Sequence, residues 1–213
     1  MMPGIAPAVE IWNGPWRDVN EAGLALFYRW LSEGRRLAAS AGGDIHGPPP
    51  ADALPGAVNV VHAEEFSEES VLAAIRRGHL YLSTGPELYL EAFSLEAALP
   101  ADGAGDSTGD SPGDSTMKAI MGDRISGARG IGVRCAWEGA HRGDRLRLIA
   151  DTGLGAAPRE DIPARTSGER EWELPGGTVR WFLMELRGEN GEMRAITNPI
   201  FVERQGASPR PRL

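Results

Sequence analysis

IGVRCAW, residues 131–137, alternates apolar side chains with small or charged ones, so that Ile131, Val133, Cys135 and Trp137 share one side of an extended chain. Successive side chains of a strand point to opposite faces of its sheet. The stretch therefore predicts a strand with one face in a core. Cys135 belongs to that face, and we interpret it as a core residue rather than a reactive thiol.

The same alternation continues toward the C-terminus. It recurs in residues 145–151 and 179–183, and the turn GENG at 188–191 separates the latter from an apolar run at 193–196. Two alternating runs around such a turn are typical of a hairpin. No helical pattern occurs in this part, and we expect residues 119–205 to form a small all-β sandwich, with a tail at 206–213.

The composition changes on the N-terminal side of the predicted sandwich. Residues 101–116 repeat Gly, Asp, Ser and Thr and contain no aromatic residue, so they cannot bury enough surface to form a core. The repeats resemble the calcium-binding Gly/Asp repeats of β-helices only loosely, and their irregular spacing would not let them stack. We therefore predict a flexible Gly/Asp/Ser-rich linker at residues 93–118.

Helical periodicity is confined to residues 1–92. An apolar stripe at Leu24, Phe27, Tyr28 and Leu31 predicts a helix from about Asn20 to Ser32. A second helix is predicted between a Ser67 cap and Gly78. Short apolar runs at 8–12, 37–41, 57–61, 80–82 and 88–90 predict strands around these helices. This order favours a parallel or mixed α/β sheet, so the expected fold class is α/β plus all-β.

Composition excludes several classes of function. The net charge is −8, and the 22 basic residues are interspersed with 30 acidic ones, so no nucleic-acid-binding patch is predicted. No apolar run approaches the ~20 residues of a membrane helix. A single cysteine excludes an internal disulfide and a cysteine-based zinc site. The sequence also lacks a nucleophile elbow and a phosphate-binding loop.

Asp44-Ile45-His46 is the strongest candidate site. In an extended chain, residues i and i+2 point to the same side, so a carboxylate and an imidazole would converge. These groups suit zinc, manganese or iron, and the pair follows an apolar run, as sites in parallel α/β folds follow strands. The alternative is a turn in which Asp44 bonds backbone amides and His46 is simply exposed.

Glu10 and Asn13 are candidate pocket residues. Glu10 lies within the first predicted strand, where a buried carboxylate needs a partner; it is either a site residue or paired with a basic group. Asn13 follows that strand, where it could bind a ligand or hold the turn. The other histidines have no ligand-like neighbours, and we interpret them as structural: His62, His79 and His141.

Five segments in order resemble the PHP-domain metallohydrolases of the CehA/McbA type. They are VEIWNG at 9–14, GGDIH at 42–46, the helix at 69–78 with YLSTGP at 81–86, MGD at 121–123 and AITNPIF at 195–201. In the second segment, Gly43 and Ile45 replace the family's serine and alanine. The likeness covers nearly the whole chain outside the linker.

The resemblance implies a fold and a chemistry. The fold would be the C-terminal part of a distorted β/α barrel, followed by the sandwich. Asp44 and His46 would be the last pair of ligands to a cluster of zinc, manganese or iron, and Glu10 and Asn13 would line the pocket. The implied reaction is hydrolysis of a small-molecule phosphoester, carbamate or aryl ester by metal-activated water.

One departure from the family is large. Its opening His-x-His motif has no counterpart among the four histidines, and two protein ligands do not make a catalytic metal site. We therefore expect a truncated hydrolase, inactive alone. Two alternatives remain open: a non-enzymatic half-barrel scaffold whose β-sandwich binds a partner or carbohydrate, and a divergent protein that completes its site by oligomerising.

Overall fold

The computed structural model describes residues 8–47, 56–95, 118–126 and 129–203. Most of the predicted linker, residues 96–117, and the predicted tail at 206–213 lie outside these ranges. The helices within them are α1 (Asp18–Ser32) and α2 (Glu68–Arg77). The strands are β1 (Ala8–Asn13), β2 (Ala38–Gly42), β3 (Val58–Val61), β4 (Leu80–Ser83), β5 (Glu87–Ser94), β6 (Lys118–Ile120), β7 (Arg124–Ser126), β8 (Gly130–Glu138), β9 (Arg145–Asp151), β10 (Ala156–Pro163), β11 (Ser167–Pro175), β12 (Trp181–Arg187), β13 (Met193–Thr197) and β14 (Ile200–Glu203).

The strands form three layers. The central sheet has eight strands in the order β10-β9-β12-β13-β4-β3, with β14 pairing both β12 and β7. A four-stranded sheet, β11-β8-β5-β6, lies on one side of it. The parallel pair β1–β2, joined by α1, lies on the other side and is called the βαβ layer below.

A core of apolar side chains joins the two larger sheets. Ile131, Val133 and Cys135 from β8 face Leu148 from β9 and Phe182 from β12, and all five are essentially inaccessible to solvent. The alternation that predicted β8 therefore corresponds to its inner face, and the core position of Cys135 is confirmed. Burial also raises the pKa of the Cys135 thiol, which keeps it protonated and unreactive.

Strand β12 is buried on both faces. Phe182 and Met184 point into the sandwich, whereas Trp181 and Leu183 pack under the βαβ layer. All seven residues of the strand are buried, so the half-buried alternation predicted for residues 179–183 does not hold over Trp181, Phe182 and Leu183. Burial on both faces explains the nearly continuous apolar run in this strand.

Helix α1 follows the predicted stripe, with Leu24, Phe27 and Leu31 buried. It begins at Asp18, two residues before the predicted start. Asn20 lies in the first turn of the helix, and Arg17 is the residue that precedes the helix. The side-chain oxygen of Asn20 accepts a hydrogen bond from the backbone N–H of Arg17 at 2.9 Å. This bond satisfies one of the backbone donors at the beginning of the helix.

Helix α2 has the predicted ends. The Ser67 hydroxyl accepts a hydrogen bond from the backbone N–H of Ser70, and Gly78 adopts the left-handed conformation with φ 81°. A side chain at Gly78 is disfavoured in that conformation, which explains the glycine. Leu72 and Ile75 on its apolar face are each 40% exposed.

The predicted α/β half-barrel is wrong. In the described residues, parallel pairing in the first 95 residues is limited to β1 with β2. Strands β3 and β4 are antiparallel neighbours although α2 lies between them. Strand β4 pairs with β13, and β5 pairs with β8, so both belong to the sandwich. Short apolar runs predict burial but not partners, and here the partners lie across the linker.

Two asparagine side chains fasten β2 to the central sheet. Asn198 accepts a hydrogen bond from the backbone N–H of Ala39 at 2.6 Å and donates to its carbonyl at 3.3 Å. Asn59 does the same at Ala41, at 2.9 and 2.8 Å. Because Ala39 and Ala41 are two residues apart, they present their backbone groups to the same edge. The two amides thus take the place of a neighbouring strand.

A buried polar network fastens α1 to the same sheet. The Tyr28 hydroxyl donates to Glu185, and the Arg187 guanidinium binds both Glu185 and Glu21. Burial first, and then the adjacent Glu185 carboxylate, raise the pKa of Tyr28 well above its usual value, so the phenol remains a donor. Trp16 adds a bond from its indole N–H to Glu21 at 2.7 Å.

Neither described helix has the length and apolar character that crossing a membrane requires.

Candidate metal-binding site

The candidate site is located at the carboxyl ends of the parallel strands β1 and β2. Asn13 and Gly42, the last residues of these strands, are register partners. One residue further, the backbone N–H of Gly14 donates to the carbonyl of Gly42 at 2.9 Å. The segments that leave the two strands therefore begin side by side, which brings Glu10, Asn13, Asp44 and His46 to the same end of the layer.

Local contacts fix the segment after β1. The Trp12 indole N–H donates to the carbonyl of Gly14 at 3.1 Å, and its ring packs edge-on against Trp16 with 4.9 Å between centroids. The buried Asn20 donates to the carbonyl of Asn13 at 3.2 Å. The end of β1 is thus bound to the beginning of α1, which gives the Asn13 side chain a defined position.

Glu10 and Asn13 form a pair. The Asn13 amide donates to a Glu10 carboxylate oxygen at 3.0 Å. Glu10 is exposed rather than buried, so the sequence-based expectation of a buried strand carboxylate is not met. Its carboxylate lies over Gly42, where a β-carbon would overlap with it. Glycine at position 42 therefore gives the Glu10 carboxylate room beside the exit of β2.

Asp44 and His46 lie two and four residues beyond β2. The distance between Asp44 Oδ1 and His46 Nε2 is 2.8 Å, so the two side chains meet as expected, although the backbone at Asp44 is left-handed and not extended as the prediction assumed. They are 55% and 86% exposed, and they do not lie in a closed cleft. Asp44 has φ 50°, the one positive value at a non-glycine residue in the described chain. Aspartate is one of the non-glycine residues that adopt this left-handed backbone most readily, in turns as well as at functional sites.

A second aspartate–histidine pair provides a contrast. His79 Nε2 and Asp123 Oδ1 are also 2.8 Å apart, but the His79 side chain is only 12% exposed. The other Asp123 oxygen accepts the backbone N–H of Ile120. Burial opposes ionisation of Asp123, but the hydrogen bonds from His79 and Ile120 outweigh it and lower the pKa of Asp123. The His79–Asp123 pair is therefore part of the packed structure, whereas Asp44 and His46 are exposed to solvent.

The donor types at the site fit a divalent transition metal, but their number does not. A carboxylate and an imidazole are ordinary zinc, manganese or iron ligands. Within the described ranges, however, no group of three or more His, Cys, Asp or Glu side chains is placed to hold a metal ion. The described residues therefore provide a half-site: Asp44 and His46, with the Glu10–Asn13 pair nearby.

The remaining histidines lie elsewhere. His62 contacts the ring of Tyr89, with 5.3 Å between centroids, and the His141 ring lies 2.8 Å from the Arg194 guanidinium. With His79 bonded to Asp123, each has a partner within the fold. Sequence reasoning did not identify Asn59 and Asn198, which hold β2. The polar Asn59 within the apolar strand VNVV was the one available signal.

Comparison with known proteins adds no family assignment. A scan against protein-family models finds no match to this chain. A search of curated proteins finds no similar sequence.

Proposed function

We propose that this chain forms part of the active site of a metal-dependent hydrolase, with Asp44 and His46 as two of its metal ligands. The observation that carries the proposal is the contact between Asp44 and His46 at the carboxyl end of the hydrogen-bonded parallel strands β1 and β2, the end at which the Glu10–Asn13 pair also lies. The substrate would be a small phosphoester, carbamate or aryl ester, as the resemblance to PHP-domain hydrolases implies.

Two features of the half-site support this proposal over a simple turn at Asp44. In a turn, its carboxylate would bond nearby backbone amides; in the described residues, its hydrogen bond goes to His46. Glycine at 42 leaves space that the Glu10 carboxylate occupies.

A metal bound there would acidify its water and polarise the scissile group. The protein's own residues have two roles in the proposal: Asp44 and His46 provide donors, and the Glu10 carboxylate, oriented by Asn13, provides an acceptor beside them. Because catalytic zinc normally takes three protein ligands, the proposed site needs a donor beyond this pair. The source would be polypeptide outside the described residues or a second copy of the chain.

Metal binding tests the half-site directly. We expect weak binding of Zn²⁺ or Mn²⁺ in titration calorimetry, reduced about tenfold or more by Asp44→Asn and by His46→Gln. Asparagine tolerates the left-handed backbone, so Asp44→Asn removes the charge without adding strain. His141→Gln, at another exposed histidine, should bind like the wild type. Binding that both site variants leave unchanged would refute the ligand assignment.

Hydrolysis tests the need for further ligands. With zinc, manganese or iron, we expect no appreciable turnover of p-nitrophenyl phosphate or 1-naphthyl carbamate esters by the isolated chain. Two ligands orient the metal-bound water poorly. Robust turnover that disappears in Asp44→Asn, measured together with the mass of the species in solution, would instead indicate a site completed across an oligomer.

A further inference from the structure

A second candidate site lies at the β3 edge of the sandwich and is formed by residues other than those of the half-site. A cavity of about 380 Å³ is formed where β3 and β4 of the central sheet meet β5 and β8 of the four-stranded sheet. Its lining includes the rings of His62, Tyr81, Tyr89 and Trp137. The volume falls in the range of small-molecule sites, and it is called the edge cavity below.

Two carboxylates also line the edge cavity. Glu87 and Glu138 are direct partners across the antiparallel pair β5–β8. Directly opposed strand residues point to the same face with their β-carbons about 5 Å apart, and like charges there are destabilising. None of the ion pairs formed among the described residues involves either side chain. Both side chains are exposed, so water screens the two negative charges, and the described residues place no ion-pair partner beside them.

The next glutamate along the same strand, Glu91, is buried and has basic partners. Glu91 lies opposite Arg134. Its carboxylate binds Lys118 at 2.7 Å and Arg134 at 3.4 Å. At Glu87, four residues earlier, the cross-strand position is occupied by Glu138 instead of a basic residue.

We propose that the edge cavity binds an organic cation, such as an alkylammonium or quaternary ammonium group. The carboxylates of Glu87 and Glu138 would neutralise the charge, and the faces of Tyr81, Tyr89 and Trp137 would contact its alkyl groups through cation–π attraction. A neutral saccharide fits less well, because ionised carboxylates only accept hydrogen bonds and would repel each other around it.

The state of the aromatic groups agrees with this assignment. Burial first, and then the nearby Glu87 carboxylate, raise the pKa of Tyr81. Burial and the Glu91 carboxylate raise the pKa of Tyr89. Both phenols therefore stay neutral at ordinary pH and leave the cavity with a negative rim. The Trp137 indole N–H donates to the carbonyl of Arg165 at 2.9 Å, which fixes the ring in the wall.

A comparison of the binding of choline with that of its neutral isostere, 3,3-dimethyl-1-butanol, distinguishes recognition of the charge from recognition of the shape. We expect choline to shift the NMR signal of the Trp137 indole N–H with a Kd on the order of 1 mM, and the isostere to bind at least about tenfold more weakly. The double variant Glu87→Gln/Glu138→Gln should weaken choline binding about tenfold, and Tyr89→Leu about threefold. Glu160→Gln, at an exposed strand glutamate outside the cavity, should bind like the wild type.

Stability provides a second measurement on the same variants. Without choline, the double Gln variant should melt about 1 °C above the wild type, because it removes the repulsion between the carboxylates. A properly folded double variant that binds choline as tightly as the wild type would overturn the proposal. So would equal affinity for the neutral isostere, saturable binding of glucose or cellobiose but not choline, or no saturable choline shift up to roughly 50 mM.

Discussion

The two faces of the central sheet are covered in different ways. On one face, the four-stranded sheet packs through apolar side chains such as Val133 and Phe182. On the other, the βαβ layer combines an apolar patch with directed polar bonds from Asn198 and Arg187. Apolar packing tolerates small shifts, whereas buried hydrogen bonds require one geometry. We infer that the sandwich provides stability and that the polar bonds determine where the strand ends of the candidate site lie.

The largest expected effect is in the sandwich core. Phe182→Ala should lower the free energy of unfolding by about 3–5 kcal/mol, because it leaves a cavity beside side chains that cannot collapse into it. Ile45→Ala, at a residue 47% exposed in the candidate site, should change it by less than about 0.5 kcal/mol. Urea denaturation measures both. Similar losses at the two positions would contradict the division between scaffold and site.

The network under α1 should give the next largest effect. Arg187→Met leaves the 3% exposed Glu185 carboxylate without its cation, and we expect a loss of about 3 kcal/mol. Replacing both residues with Met should recover part of that loss, since no buried charge remains unpaired; Glu21 is 43% exposed and is solvated by water, whereas Tyr28 loses its acceptor. Arg145→Met breaks an exposed pair with Asp161 and should cost at most about 1 kcal/mol. Equal losses in the two single variants would refute the role of burial.

Asn198 and Asn59, whose side chains bind the backbone of β2, are called the asparagine clamps. Replacing them should lower the stability of the fold by less than the changes above. Asn198 is 1% exposed, so Asn198→Ala should cost about 2 kcal/mol by leaving both backbone groups of Ala39 without partners. Asn59→Ala, at the exposed clamp, should cost about 0.5 kcal/mol because water replaces the lost bonds. Hydrogen exchange should accelerate at the Ala39 amide in the first variant and at the Ala41 amide in the second. Unchanged exchange at both would show that the amides are not held by these side chains.

The smallest expected effect is the loss of stability in acid that is due to Asp151, at the end of β9. Burial opposes ionisation of Asp151, but the backbone N–H groups of Gly153 and Gly155 and the charge of Arg180 outweigh it, so the pKa of Asp151 is lowered. Its ionised form therefore stabilises the fold fully above the unfolded-state pKa of about 4, and this contribution is lost as the pH falls through the lower folded-state pKa. In urea titrations from pH 7 to 2, Asp151→Asn should be less stable at neutral pH and should lose less stability in acid. A parallel decline of both proteins would contradict this assignment.

Local features of the chain were predictable because they depend on neighbouring residues. The stripe at Leu24, Phe27 and Leu31, the Ser67 cap and the left-handed Gly78 all follow from one or two turns of sequence. Asp44 and His46 also meet as expected, but through a left-handed backbone at Asp44 instead of the extended chain on which that prediction was based. In each case the relevant energy is a local hydrogen bond, backbone preference or periodic burial.

The pairing partners of the strands were decided only by the tertiary structure. An apolar run such as Leu80–Ser83 predicts a buried strand equally well in a parallel barrel and in an antiparallel sandwich. Its pairing with β13, more than 100 residues later, depends on the total apolar surface that the two sheets bury together. The same holds for the facing carboxylates of Glu87 and Glu138 and for the Asn198 clamp. Each needs two distant segments in register, and no local pattern encodes that register because its energy arises only when the segments meet.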